Sequence, residues 1–298
     1  MVRPTSFGYD TQTALTNAFQ NLPTAEAEAV QQLAAAEFQA YIEILRAHDI
    51  DTIIIDDQPH PPKPNGVFPN NWLTTTADGR VYLYPMATPS RRIERDPAIL
   101  ARLAETHHVA AIHDLSEAEA REEFLESTGV IIFDHAHKIA YACISPRCHE
   151  DLFVRHAAEI GYTPVAFRGF VNDLPLYHTN LMLGIQSTTA VICSAAITAP
   201  AERERVLQSL RTTGHEVVDI TPDQLAQYCG NILEVQNRQG RRYLVLSTSA
   251  QAAFTPRQLK ILSRDKTLLP VALPTIQAVG GGSARCMVAE IFLPRSLQ

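Results

Sequence analysis

Five short polar loops, each set between apolar runs, recur along this chain at almost constant spacing, and no other feature constrains its fold as tightly. They are Phe68-Pro-Asn-Asn71-Trp72, Leu125-Glu126-Ser-Thr-Gly129, Tyr177-His178-Thr-Asn180, Gly230-Asn231-Ile-Leu-Glu234 and Gly280-Gly-Gly-Ser-Ala-Arg-Cys286. Anchored on Asn71, Glu126, His178, Asn231 and Cys286, the intervals are 55, 52, 53 and 55 residues. A fixed period marks repeated supersecondary units that bury their apolar faces against one another. Five units closed into a ring would bring five loops to one axis, and loops held by a rigid scaffold are where chemistry collects.

The elements between the loops predict an α/β protein. A helix is expected from Thr24 to His48, with Val30, Leu33, Phe38, Tyr41, Ile42 and Leu45 on its apolar face. Thr24 is its expected N-cap. Thr52 to Ile55 reads as a strand, and Pro61, Pro62 and Pro64 impose a loop after it. Apolar runs at 80–84, 109–112, 130–133, 139–144, 162–166, 189–193, 215–220, 242–247 and 268–272 read as strands, with a last one from Cys286 to Leu293. Capping boxes are expected at Ser116 with Glu119, Thr221 with Gln224 and Thr255 with Gln258. No linker composition appears after residue 68, so residues 1–298 read as one domain.

Composition narrows the partners. The formal charge is −7, without clustered Lys and Arg, which argues against nucleic acid or an anionic membrane. No apolar run approaches 18 residues, and the first residues lack a secretory core, so a cytoplasmic protein is expected. The five cysteines, at 143, 148, 193, 229 and 286, form no CxxC pair and read as free thiols of a reducing compartment. Neither His107-His108-x4-His113 nor His135-x-His137 has a recognised metal-ligand spacing, so no metal is expected. No nucleotide or phosphate motif is present, so no cofactor is expected.

If the ring forms, it gathers a carboxylate (Glu126), an imidazole (His178), a thiol (Cys286) and the amides of Asn71, Asn180 and Asn231. Thiol, imidazole and carboxylate are the inventory of nucleophilic catalysis. Arg285 stands beside Cys286, where a cation favours the thiolate, and amides from Gly281 to Ala284 are candidate oxyanion donors.

The ordered set FPNNW, YPMATPSRRIER, LESTG, SPR, YHTN, GNxLE and GGGSARCM resembles the amidinotransferase and arginine deiminase superfamily, the penteins. Within it the likeness is to the arginine deiminase-related group that includes citrulline utilisation hydrolases. The resemblance implies a five-bladed α/β propeller of ββαβ units with pseudo-fivefold symmetry. It implies Cys286 as nucleophile, His178 as general acid and base, and Glu126 as its carboxylate partner. It places Asn71, Asn180, Asn231 and Phe68 at the substrate and Arg91 and Arg147 on its α-carboxylate. A salt bridge to Glu94 or Glu119 is the competing role for Arg91 and Arg92.

Two positions depart from arginine-processing relatives, which carry Asp where this chain has Asn71 and Asn180. Neutral amides compensate a guanidinium poorly but match a ureido group. A hydrolase converting citrulline to ornithine through an S-carbamoyl cysteine is therefore expected. The alternatives are a guanidino hydrolase acting on arginine or methylarginine, an amidinotransferase, or a non-catalytic binding protein. The expected partner is a small amino acid; the oligomeric state stays open, with a homodimer among the choices.

Overall fold

The structure, a computed structural model, describes residues 1–296. The chain builds one unit four times: an antiparallel hairpin, a helical crossover, and a third strand parallel to the second. The first unit has strands Leu73–Thr75, Arg80–Leu83 and Ala111–Asp114 with helix Pro97–Ala104. The second has Ile131–Asp134, Ile139–Cys143 and Thr163–Phe167 with helix Glu150–Glu159. The third has Leu183–Ile185, Thr189–Ile192 and Glu216–Asp219 with helix Pro200–Thr212. The fourth has Leu233–Gln236, Arg242–Ser247 and Thr267–Val271, crossed over by Thr248–Ala253 and Pro256–Leu262. Central strands such as Thr189–Ile192 are buried throughout, which is why they read as uninterrupted apolar runs.

A fifth unit is partial. Val2–Arg3 pairs in parallel with Ile55–Asp56 across helix α1, Ala27–Ala47. The strand expected over 52–55 is thus reduced to its last residue plus Asp56. The strand expected from Cys286 to Leu293 does not form: Ala284–Met287 is a 3-10 turn, and residues 288–293 carry no ladder. Their backbone finds a side chain instead, with Thr75 Oγ1 donating to Glu290 O at 3.2 Å and Phe292 N donating to Thr75 Oγ1 at 2.7 Å. Among the described residues the sheets remain separate, with no ladder closing them into one.

Helix α1 starts later than Thr24, with Glu26 at the N-cap and no side-chain capping bond. Its buried stripe is Val30, Ala34, Phe38, Tyr41, Ile42 and Leu45. Leu33, expected inside, is 53% exposed because the small Ala34 takes the contact position. Phe38, Tyr41 and Ile42 share a core cluster with Phe68, Ile276, Cys286 and Met287. Full burial of each large side chain contributes roughly 2 kcal/mol. Tyr41 Oη also donates to Ala284 O at 3.2 Å, so α1 braces the turn that carries Cys286.

Both downstream capping boxes form, with Pro222 and Pro256 in the first turn. The Ser116 box does not: residues Ser116–Arg121 make a 3-10 stretch, and Glu119 binds Arg92, Arg95 and the Met86 amide. Each of the five loop anchors lies just before the first strand of a unit or its 288–293 equivalent.

Candidate active site

Asn71, Cys286 and His178 line one small cavity together with Phe68, Arg91, Arg147, Tyr177, Gly280, Gly281 and Gly282. The predicted residues therefore converge, although they come from separate units.

Glu126 and His178 pair beside this cavity. His178 Nε2 lies 2.7 Å from Glu126 Oε2, and both side chains are buried. Burial pushes the Glu126 carboxyl up, but Arg147 and then His178 outweigh it and hold the carboxyl at about 2. Arg147 NH1 is 3.4 Å from the same oxygen. An ionised Glu126 accepts, so His178 donates from Nε2 and keeps its lone pair on Nδ1. Burial lowers the His178 pKa to about 4 against the opposing pull of Glu126, leaving the imidazole neutral at pH 7. A Cβ on Gly129 would press into both the Asn71 amide and the Nδ1 edge of His178, so the two groups share one corner.

Cys286 receives two amides. Asn231 Nδ2 lies 3.1 Å and Asn180 Nδ2 3.4 Å from its Sγ. Both contacts put amide N–H donors on the sulfur. Asn231 is fixed in turn by donating to Asn180 O at 3.1 Å and accepting from Arg285 N at 3.1 Å. The other four thiols lack this setting. Burial pushes Cys143 and Cys229 up to about 12 and Cys193 to about 11, and holds Cys148 well above the ordinary thiol value.

Three roles change against the sequence expectation. The Arg285 guanidinium points away from the thiol, to Glu290 at 2.9 Å and Val288 O at 2.8 Å. The Gly281 amide is occupied by Gln277 O at 3.0 Å, so it is no free oxyanion donor. Arg91 reaches the cavity but meets Glu94 through Nε at 2.9 Å and NH2 at 2.8 Å, with NH1 on Asn71 Oδ1 at 2.6 Å. A buried guanidinium needs such a partner. The salt bridge weighed from sequence is thus the one present, and Arg91 holds Asn71 in place. Arg92 likewise meets Glu119 at 3.2 Å.

The glycines shape the wall. Cβ atoms on Gly280 and Gly282 would lie 2.9 Å from the Phe68 ring, and Gly281 takes a left-handed φ of 65°. Tyr177 Oη donates to Gly281 O at 2.7 Å, and the Arg147 guanidinium stacks 4.7 Å from the Tyr177 ring.

The N-terminal segment covers the mouth, and no periodicity in residues 1–23 announces it. Arg147 donates to Thr13 O at 3.0 Å and to Thr16 Oγ1 at 2.7 Å. Asn17 Nδ2 reaches Gly280 O at 3.4 Å, Gln20 Nε2 reaches Val279 O at 3.0 Å, and Thr13 and Asn17 line the cavity. The cavity volume is about 10 Å³, near the space of one water. Two buried polar atoms on the lining side chains stay unpartnered, Asn71 Nδ2 and Asn65 Oδ1, as does Asn180 Oδ1 on the residue beside Cys286. No Asp or Glu lines this cavity among the described residues.

A family model described as N,N dimethylarginine dimethylhydrolase, eukaryotic, matches residues 3–293. No protein of curated function matches the chain by sequence. Apo ArgZ, an arginine dihydrolase of the cyanobacterial ornithine-ammonia cycle, is 15% identical with a TM-score of 0.72, over 98% of this chain and 40% of that one. The chain thus spans about 40% of the length of that relative. A substrate-bound mutant of the ArgZ N-terminal domain gives 15% identity and a TM-score of 0.72, over 98% of both chains. A dimethylarginine dimethylaminohydrolase adduct with S-methyl-L-thiocitrulline gives 13% identity and a TM-score of 0.64, over 99% of this chain and 98% of that one. At these identities the likeness establishes the α/β fold of those structures and nothing finer.

Proposed function

Because the chain belongs to the N,N dimethylarginine dimethylhydrolase family, we propose that it is a cysteine-dependent hydrolase acting at the guanidino carbon of arginine or a methylated arginine. The observation that carries this reading is Cys286 Sγ held by the Asn231 and Asn180 amides in the cavity that His178 lines. The likeness to an arginine dihydrolase and to a dimethylarginine dimethylaminohydrolase supports the substrate class. In this reading the four units and the partial fifth are blades of one closed propeller, and residues 1–298 form one domain. The enzyme works in the cytoplasm; no described helix is long and apolar enough to cross a membrane.

His178 Nδ1 takes the Cys286 proton, and Glu126 stabilises the imidazolium at Nε2. The thiolate bonds to the guanidino carbon. A C–N bond breaks, and the leaving nitrogen takes the proton from His178 and departs as ammonia, methylamine or dimethylamine, according to its methylation. Water then attacks the S-linked carbon while Nδ1 accepts its proton. The C–S bond breaks, the thiolate returns, and a ureido product leaves. The cavity as it stands is too small for an amino acid, so in this reading substrate entry requires segment 10–20, which supplies Thr13 and Asn17 to the lining, to move. Arg147, once released from Thr13 and Thr16, is the residue for the α-carboxylate.

A second reading is favoured by one observation. Asn71 Nδ2 is a buried, unpartnered donor, and a guanidinium has no acceptor to give it. A ureido oxygen does, which supports citrulline converted to ornithine through an S-carbamoyl cysteine. Offering purified protein arginine, monomethylarginine, dimethylarginine and citrulline in parallel separates the readings. Citrulline appearing from the guanidino substrates supports the first; ornithine from citrulline alone replaces it with the second. Turnover of arginine only when an acceptor amine is added indicates an amidinotransferase. No turnover of any removes both hydrolase readings.

A further inference from the structure

We propose that Asp134, His137 and His215 bind one divalent transition-metal ion of the zinc class, clamping the second unit to the third. Asp134 ends strand Ile131–Asp134, and His137 lies in the turn that follows. The turn folds back on itself: His137 N donates to Asp134 Oδ1 at 3.1 Å. That places His137 Nδ1 3.0 and 2.9 Å from the two carboxylate oxygens. His215 arrives from the other unit, after helix Pro200–Thr212, with Nδ1 3.8 Å from Asp134 Oδ2. The two imidazole rings stand 5.7 Å apart at 73°. One donor atom from each residue lies within 4.8 Å of the others.

A tetrahedral zinc with bonds near 2.1 Å has its donors roughly 3.4 Å apart, which the separations to Asp134 bracket. The residual closure falls on His137, whose side chain is 42% exposed and free to move. Two imidazole nitrogens and one carboxylate oxygen suit zinc-class ions rather than calcium or magnesium.

The charge balance points the same way. The Asp134 side chain is 3% exposed, and among the described residues its ionic contacts are these two histidines, with no Lys or Arg. A buried carboxylate without a Lys or Arg partner is a natural ligand for a cation. A divalent ion would take the place of the direct His137–Asp134 contact. His215 Nδ1 now lies 2.8 Å from Thr213 Oγ1, a hydrogen bond that metal binding at this nitrogen displaces. Asp134 and His215 also line a cavity of about 250 Å³, which leaves room for a water in the fourth position. The spacing of His135 and His137 hid this set, because His215 comes from a different unit.

The test uses chelator-treated Cys286→Ser protein, so that the catalytic thiol takes no metal. Zinc is titrated by calorimetry and cobalt(II) by visible absorption. The expected result is one equivalent of zinc with a Kd of about 10 µM or tighter, tetrahedral cobalt bands, and a raised thermal midpoint. In the same background His137→Ala, at a half-exposed position, and Asp134→Asn, which keeps the turn acceptor, each weaken zinc binding about tenfold or more. Weaker zinc binding in the parent, or binding unchanged in either variant, overturns the proposal.

Discussion

His178 and Glu126, 52 residues apart in sequence, meet at 2.7 Å with both side chains sealed from solvent. The same carboxylate is 3.4 Å from the buried Arg147 guanidinium, so one oxygen orients the imidazole and compensates a cation. Glu126→Gln keeps the shape and removes the charge. The expected loss in kcat is about 10²- to 10⁴-fold, the range for general acid–base catalysis. Stability should fall by roughly 3–5 kcal/mol, because Arg147 is left buried without its partner. Steady-state kinetics and denaturant unfolding check both; a kcat near that of the parent contradicts the assigned role.

Acid should destabilise the fold in a defined window. Burial lowers both His178 and His156 to about 4, below the 6.5 of an exposed imidazole. The unfolded chain therefore binds these two protons first. Stability is intact above pH 6.5 and is lost as pH falls towards 4, at a slope approaching about 2.7 kcal/mol per pH unit for two protons. Glu126, held at about 2, extends the loss from its ordinary 4.5 downwards. Denaturant midpoints from pH 8 to pH 4 measure the slope. His156→Gln should halve it; a flat profile contradicts the buried neutral histidines.

Gly129→Ala tests the corner shared by Asn71 and His178. The added methyl would lie 3.0 Å from His178 Nδ1 and against the Asn71 amide, so one of them must shift. Displacing a catalytic group by about 1 Å costs on the order of 10²-fold in rate. Thermal denaturation should show a folded protein with a changed midpoint, and kinetics a collapsed kcat. Undiminished kcat would mean that this corner faces no reacting group.

Asn71→Asp tests the charge preference. Oδ1 keeps its 2.6 Å contact with Arg91, while an unpartnered donor becomes a carboxylate oxygen. A nearby anion favours a guanidinium over a neutral ureido group. The ratio of kcat/KM for arginine over citrulline should rise by about tenfold or more, equivalent to 1.4 kcal/mol. A falling ratio would show that Asn71 does not sit at the discriminating end of the substrate.

The fold was legible where burial wrote it into the chain. Buried second strands such as Thr189–Ile192 appear as apolar runs, and Thr221 and Thr255 announce their helices through capping chemistry. Hairpin strands such as Leu73–Thr75 and Leu183–Ile185 escaped, because three residues beside a polar loop give no periodicity. The anchors Glu126, His178 and Cys286 were legible through their spacing. The cover formed by Thr13, Thr16 and Asn17 was not, since its bonds run to residues more than a hundred positions away. The Arg91 bridge to Glu94 was one of the two roles weighed from sequence, whereas the turn of Arg285 to Glu290, five residues on, was hidden by the expectation of a strand over 286–293.

The central claim is that Cys286 forms the covalent intermediate. Acid-quenching the enzyme during turnover of its preferred substrate, followed by peptide mass spectrometry, measures this directly. The account predicts an adduct on the Cys286 peptide alone, and loss of turnover in a folded Cys286→Ser protein. Turnover undiminished in that variant, or an adduct on Cys143, Cys148, Cys193 or Cys229 in place of Cys286, would contradict it.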